Sequence, residues 1–173
     1  MGNLTTVHSI SRSGNATMLT AANNGDYSFA FRGQRAAANQ PMWGIHNSVN
    51  SRLTNIFFDA STIRLQRDNG GGSTYWLVGG QSFTVGTLYT VGVSVDRVNG
   101  TTTTSYFYLN GALVGSQSQT TLDIDFTGSS ELIGSIIAGI SPRGAYVGGG
   151  NWSTLLTGPD HLVIHNYLSA TYP

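Results

Sequence analysis

Thr87-Leu88-Tyr89-Thr90-Val91-Gly92-Val93-Ser94-Val95-Asp96 leads through a threonine-rich segment to Tyr106-Phe107-Tyr108-Leu109-Asn110-Gly111-Ala112-Leu113-Val114. In the first run Tyr89, Val91, Val93 and Val95 alternate with Thr90, Gly92, Ser94 and Asp96. A period of two belongs to a strand with one face in a core and the other turned away from it. In the second run Asn-Gly separates two strand-like segments. Both residues tolerate the positive φ of a type I′ turn, so the spacing predicts a hairpin centred on Asn110-Gly111. The alternation recurs in Tyr27, Phe29 and Phe31 with Ser28, Ala30 and Arg32, and in Ile63 and Leu65 with Arg64 and Gln66. Further strands are expected within 122–126, 131–136 and 161–165. Asp68-Asn69-Gly70 reads as a second turn, and the Gly- or Thr-rich segments 70–72, 101–104 and 148–150 read as loops. Many short strands with Gly-rich turns give an all-β sandwich or jelly roll.

Composition narrows the class. Charged residues are 9% of the chain, where about 25% is usual. All eight basic residues are Arg, Lys is absent and Glu131 is the only Glu. Without Lys and Glu to clothe solvent-facing helices, a helical bundle or coiled coil is excluded. Gly, Ser, Thr and Asn make up 75 of the 173 residues, so hydroxyls and amides keep the surface wet. There is no Cys, which excludes disulfides and Cys-ligated metals or clusters. A net charge of zero gives no electrostatic platform for nucleic acid or an anionic membrane. No apolar run is long enough for membrane insertion.

The length suits a single domain, 1–173, with 1–22 as an N-terminal arm or an added strand. Residues 1–22 show no basic stretch followed by an apolar block, so no signal peptide is expected. A hydroxyl-rich, lysine-free surface without a leader suits a component of a virion. An extracellular location is the alternative.

The aromatic-led valine strand followed by Tyr106-Phe107-Tyr108-Leu109-Asn110-Gly111 resembles the core of laminin-G-like domains in the concanavalin A-like lectin/glucanase superfamily. Tyr27 to Arg32 resembles the family's early aromatic strand. Leu132-Ile133-Gly134 resembles its Ile-Gly strand, and the segment from Asp160 to Ser169 its closing strand and Leu-Ser turn. The resemblance spans residues 26 to 170. It implies a jelly-roll sandwich of two curved antiparallel sheets, and it leaves function open among lectins, adhesion domains, hydrolases and virion proteins.

The family's hydrolases carry two Glu with an Asp between them on one strand. Here the nearest match is Asp123-Ile124-Asp125-Phe126-Thr127, with shorter carboxylates and Thr at the third position. That departure favours a non-enzyme over a polysaccharide hydrolase or lyase. Asp123 and Asp125 are the candidate ligands for a hard cation, with Ca²⁺ as the ion such a pair takes. No other cofactor is expected. His161 and His165, read on a strand, would lie about 13 Å apart, too far for one metal.

Sugar recognition combines a flat aromatic face with polar groups that fix hydroxyls. Three stretches offer that mixture: Trp43 with His46; 68–72 with Tyr75 and Trp76; and Arg143, Tyr146, Asn151 and Trp152. Trp43 and Trp76 also suit the sandwich core. Trp152, preceded by three glycines and an Asn, is the best candidate for exposure, and it could equally anchor a protein interface. The expected role is a lectin-like virion surface protein, as capsid decoration or tail-fibre adhesin. Its expected partners are other virion proteins or cell-surface glycans, with a homotrimer as the assembly suggested by analogy. The alternative is a glycan-binding module of a secreted or cell-surface assembly.

Overall fold

The alternating segments fold as the strands of two sheets, every pair of them antiparallel. The structure, a computed structural model, describes residues 10–13, 25–35, 40–47, 52–69, 71–97, 102–120, 126–127, 129–133 and 144–173. The strands are β1 (Ile10–Ser13), β2 (Tyr27–Arg35), β3 (Gln40–Asn47), β4 (Arg52–Phe58), β5 (Ile63–Asn69), β6 (Ser73–Val78), β7 (Leu88–Arg97), β8 (Thr102–Leu109), β9 (Ala112–Thr120), β10 (Ser130–Ile133) and β11 (Gly144–Trp152). A helix, α1 (Gly158–Thr171), follows β11. One sheet has six strands in the order β1-β10-β3-β4-β5-β6. The other has five, in the order β11-β2-β7-β8-β9. The jelly-roll, lectin-like sandwich read from the sequence is the observed architecture.

Alternation decides what each face does. Tyr27, Phe29, Phe31, Val91, Val93, Val95 and Phe107 of the five-stranded sheet meet Trp43, Ile45, Ile56, Ile63, Leu65 and Trp76 of the six-stranded sheet. Trp43 stacks on Phe29 with ring centroids 4.8 Å apart. Trp76 donates its Nε1–H to the Thr103 carbonyl at 3.1 Å, and the Tyr27 and Thr54 hydroxyls lie 3.3 Å apart. Both contacts join one sheet to the other and satisfy polar groups that burial would otherwise penalise. The β8–β9 hairpin turns at Asn110 (φ 50°) and Gly111 (φ 82°), the two positive values of a type I′ turn. The Asn110 Oδ1 accepts the Thr90 N–H at 3.0 Å.

The edges β6 and β9 lie side by side and are joined by amide side chains. Gln117 Oε1 accepts the Leu77 N–H at 2.6 Å, and Gln119 Nε2 donates to the Tyr75 carbonyl at 3.4 Å.

The structure corrects three readings. Residues 102–104 extend β8, and Gly148, Gly149 and Gly150 lie inside β11. Residues 161–165, expected as a strand, belong to α1. The start of that helix was written in Thr157-Gly158-Pro159-Asp160. Pro in the first turn has its φ already set, and the Asp160 carboxylate accepts the Thr157 N–H at 2.7 Å and its hydroxyl at 2.6 Å. His161, His165, Leu168 and Tyr172 then recur at the helical spacing of one face.

Candidate functional site

The outer face of the six-stranded sheet carries His46, Asp68 and Tyr75 from the stretches read in the sequence. Trp76 points into the core, so its strand neighbours Tyr75 and Leu77 point out, 41% and 49% exposed. Tyr75 is paired with Gln66, and Ser73 with Asp68, across β5–β6. Gln66 Nε2 donates to Ser73 Oγ at 3.0 Å, and Ser73 donates to the Asp68 carboxylate at 2.5 Å. The Arg64 guanidinium lies 4.7 Å from the Phe57 ring centroid and 5.7 Å from that of Tyr75. Two ring faces hold the cation by its attraction to their π electrons, and the contact steadies the Tyr75 ring in return. One rank further in, Asn55 pairs with Gly44 and Gln66 on this same face. Its amide is 1% exposed, and neither its oxygen nor its nitrogen has a hydrogen-bond partner. Leaving such a group unpaired costs about 1–3 kcal/mol. His46 stands half-buried on the same face, and burial holds its imidazole below the ordinary value.

Trp43 and Trp76 are both wholly buried in the core, which corrects their reading as ligand contacts: neither ring face can reach a ligand. The third aromatic group is divided. A register shift between Tyr146 and Gly148 lets Tyr146 lean on Phe31, 5.4 Å away, against the core. Trp152 instead lies on the outside of β11, where its indole ring passes over Gly150. Asn151, between these faces, is half-buried. Arg143, Asp123 and Asp125 lie outside the described residues. Among the described residues no three His, Asp or Glu side chains come together as a metal site.

Trp152 has company the sequence did not reveal. With Gly149, Val163, Ile164, Tyr167 and Leu168 it lines a groove of about 320 Å³ between β11 and α1. Every lining side chain except the Tyr167 hydroxyl and the indole N–H is apolar. Val163 (68% exposed) and Tyr167 (67% exposed) rise beside it.

α1 lies on the outer face of the five-stranded sheet, against β2, β7 and β9. His161 is buried, stacks on Tyr108 with centroids 3.9 Å apart, and places Nε2 2.8 Å from Ser94 Oγ. The Ser94 hydroxyl also lies 2.8 Å from the Leu156 carbonyl, to which it can donate. Burial pushes the His161 imidazole down to about 4, with the Asp160 carboxylate pulling weakly the other way. A Ser–His contact of this kind has the geometry of an activated nucleophile. Ser94 is wholly buried beneath the helix, so no substrate reaches it and the contact docks α1. His165 Nδ1 lies 3.0 Å from the Thr90 hydroxyl, and Arg32 Nε donates to the Tyr172 carbonyl at 2.7 Å. The two His therefore sit one helical turn apart, each engaged with β7, and the 13 Å spacing of the strand reading does not apply.

No protein-family model matches the sequence, and no curated protein matches it. Solved structures do match. The binding domain of botulinum neurotoxin serotype G superposes with a TM-score of 0.66 at 12% identity, covering 94% of this chain and 41% of the toxin domain. A sialidase of Streptococcus pneumoniae gives 0.61 at 17% identity, with 88% and 26% covered. The LG1-3 region of the laminin α2 chain gives 0.57 at 9% identity, with 86% and 31% covered. The chain thus spans about two fifths of the toxin domain's length. At these identities the likeness is one of fold, and it agrees with the laminin-G-like jelly roll expected from the hairpin and strands.

Proposed function

We propose that the protein is a non-catalytic, lectin-like binding module that takes surface glycans on the outer face of β5 and β6. The observation that carries this reading is the exposed Tyr75 ring, fixed by Arg64 and bordered by the hydrogen-bonded row Gln66–Ser73–Asp68. A sugar ring has one apolar face, which suits Tyr75, and hydroxyls at its rim that both donate and accept. Asp68 accepts, and Gln66 both donates and accepts. Fold neighbours described as binding domains support a binding role. The hydroxyl-rich, lysine-free surface supports a setting on a virion, with a secreted or cell-surface assembly as the alternative.

The apolar Trp152 groove favours a second kind of contact. Its lining offers too few polar groups to fix sugar hydroxyls, and it suits an apolar surface of another virion protein. The test is a tryptophan-fluorescence or calorimetric titration with a panel of host-surface polysaccharides, using wild type, Tyr75→Ala and Trp152→Ala. Tyr75→Ala should weaken binding at least about tenfold, or about 1.4 kcal/mol, and leave the Tm unchanged. Binding that survives in Tyr75→Ala and disappears in Trp152→Ala overturns the assignment to this face. Silence across the panel, with binding to assembled particles, overturns the glycan reading in favour of a structural role.

A further inference from the structure

The outer face of the five-stranded sheet is built to receive α1 and little else. Its side chains are small or hydroxyl-bearing where the helix lies: Ser28 and Ala30 on β2, Thr90, Gly92 and Ser94 on β7, and Gly148 on β11. A side chain at Gly92 would overlap the His161 ring, and one at Gly148 would come within 2.6 Å of Tyr172. Yet α1 contributes only His161 and Leu168 as buried residues, and none of its side chains belongs to the core between the sheets. Its attachment combines the packing of Leu162 over Gly111 and of Leu168 and Tyr172 over Gly148 with three polar contacts: His161 with Ser94, His165 with Thr90, and Arg32 with the Tyr172 carbonyl. An element so attached can leave while the sandwich stays folded.

The charged and titratable groups around the two imidazoles are few. From β8, Tyr108 stacks on His161; from β2, Arg32 stands beside His165; on the helix itself, Asp160 adjoins His161. Only Asp160 favours a protonated ring, and it is exposed to water. Nε2 of His161 faces Ser94 Oγ, and only one of the two ring nitrogens carries a hydrogen in the neutral ring. In the protonated ring both carry one, and the hydrogen on Nδ1 would face the Gly92 backbone.

We infer that α1 is an acid-released clasp: protonation of His161, seconded by His165, detaches the helix from the five-stranded sheet and uncovers the Ser94–Tyr108 face and the Trp152 side of β11. The proton-binding difference sets the size of the effect. With 6.5 for a released His161 and about 4 for the docked one, docking weakens about 30-fold between pH 7.5 and pH 5.

Amide hydrogen exchange of the full chain at pH 7.5 and pH 5, corrected for the intrinsic pH dependence of exchange, tests this. Protection of residues 161–171 should fall about 30-fold, and at both pH values it should stay below that of β2, β7 and β8, whose amides open only with the sandwich. In His161→Gln, whose amide cannot be protonated, most of that fall should disappear. Unchanged helix protection overturns the inference, as does helix protection equal to that of the strands at both pH values, which is global unfolding. A full-sized fall in His161→Gln removes His161 as its cause. Should that variant not fold, the wild-type His161 Cε1–H resonance replaces it. Its titration must share a midpoint with the loss of helix protection, and separate midpoints overturn the inference.

Discussion

Gly92→Ala adds one methyl group, and the structure says where it goes. The new Cβ would overlap His161 Nδ1 and stand 2.7 Å from Cε1. The ring has nowhere to retreat, because Tyr108 stacks on it with centroids 3.9 Å apart and Nε2 is bonded to Ser94 at 2.8 Å. The hydrogen bond contributes about 0.5–1.5 kcal/mol and the stack about as much beyond its buried area. Overpacking adds about 1–3 kcal/mol of strain. Against these stands about 0.5–1 kcal/mol gained by replacing a strand-interior Gly with Ala. The net expectation is a loss of about 1–5 kcal/mol, which lowers the Tm by about 3–15 °C in a domain of this size. Gly79→Ala serves as a control, since its Cβ would meet nothing closer than Thr62 Cγ2 at 3.7 Å. It should be neutral or mildly stabilising. Urea unfolding of Gly92→Ala in wild-type and His161→Ala backgrounds completes a double-mutant cycle. With the ring gone, the cost of the methyl should vanish. A neutral Gly92→Ala, or an equal cost in both backgrounds, refutes the claim that this glycine exists to seat the imidazole.

Trp76→Phe removes the Nε1–H bond to Thr103 and part of a wholly buried ring, so urea denaturation should show a loss of about 2–3 kcal/mol. Asn110→Ala leaves a residue with a Cβ at φ 50° and deletes the acceptor for the Thr90 N–H; thermal melts should show about 1–2 kcal/mol lost. Stability should also fall with acid in a defined window. His161 holds its proton less readily folded (about 4) than unfolded (6.5), so its contribution is complete above pH 6.5 and is lost as pH falls towards 4. Up to about 3 kcal/mol is at stake, and a urea midpoint unchanged between pH 7 and pH 4.5 contradicts it.

The sandwich was legible because alternation states a face directly: Tyr27, Phe29 and Phe31 could only be an inner row. The same rule applies to Tyr75-Trp76-Leu77, where the structure separates the buried indole from the exposed phenol that the sequence reading grouped together. α1 was less legible, because His161-Leu162-Val163-Ile164-His165 is a short apolar run with β-branched residues, which periodicity alone cannot separate from a strand. The deciding signals stood outside it, in the Thr157–Asp160 start and in the later recurrence at Leu168 and Tyr172. Gly148 to Gly150 looked like a loop because the reasons for its first two glycines lie far along the chain, at Leu168 and Tyr172 for Gly148 and at Ala30 and Phe31 for Gly149. Asn55 gave no signal at all: what marks it is a missing partner, which only three dimensions disclose.

The paired amides of Gln117 and Gln119 act on the molecule's sociability. A sheet edge recruits strands from other chains when its N–H and C=O groups stand open in a row. Here the Leu77 N–H and the Tyr75 carbonyl on β6 are already taken, by side chains that arrive from the other sheet. A visiting strand would have to break both links and then fit beside β9. That flank is thereby closed to runaway polymerisation, and a chain with almost no surface charge to keep its copies apart stays dispersed there by saturation instead of repulsion.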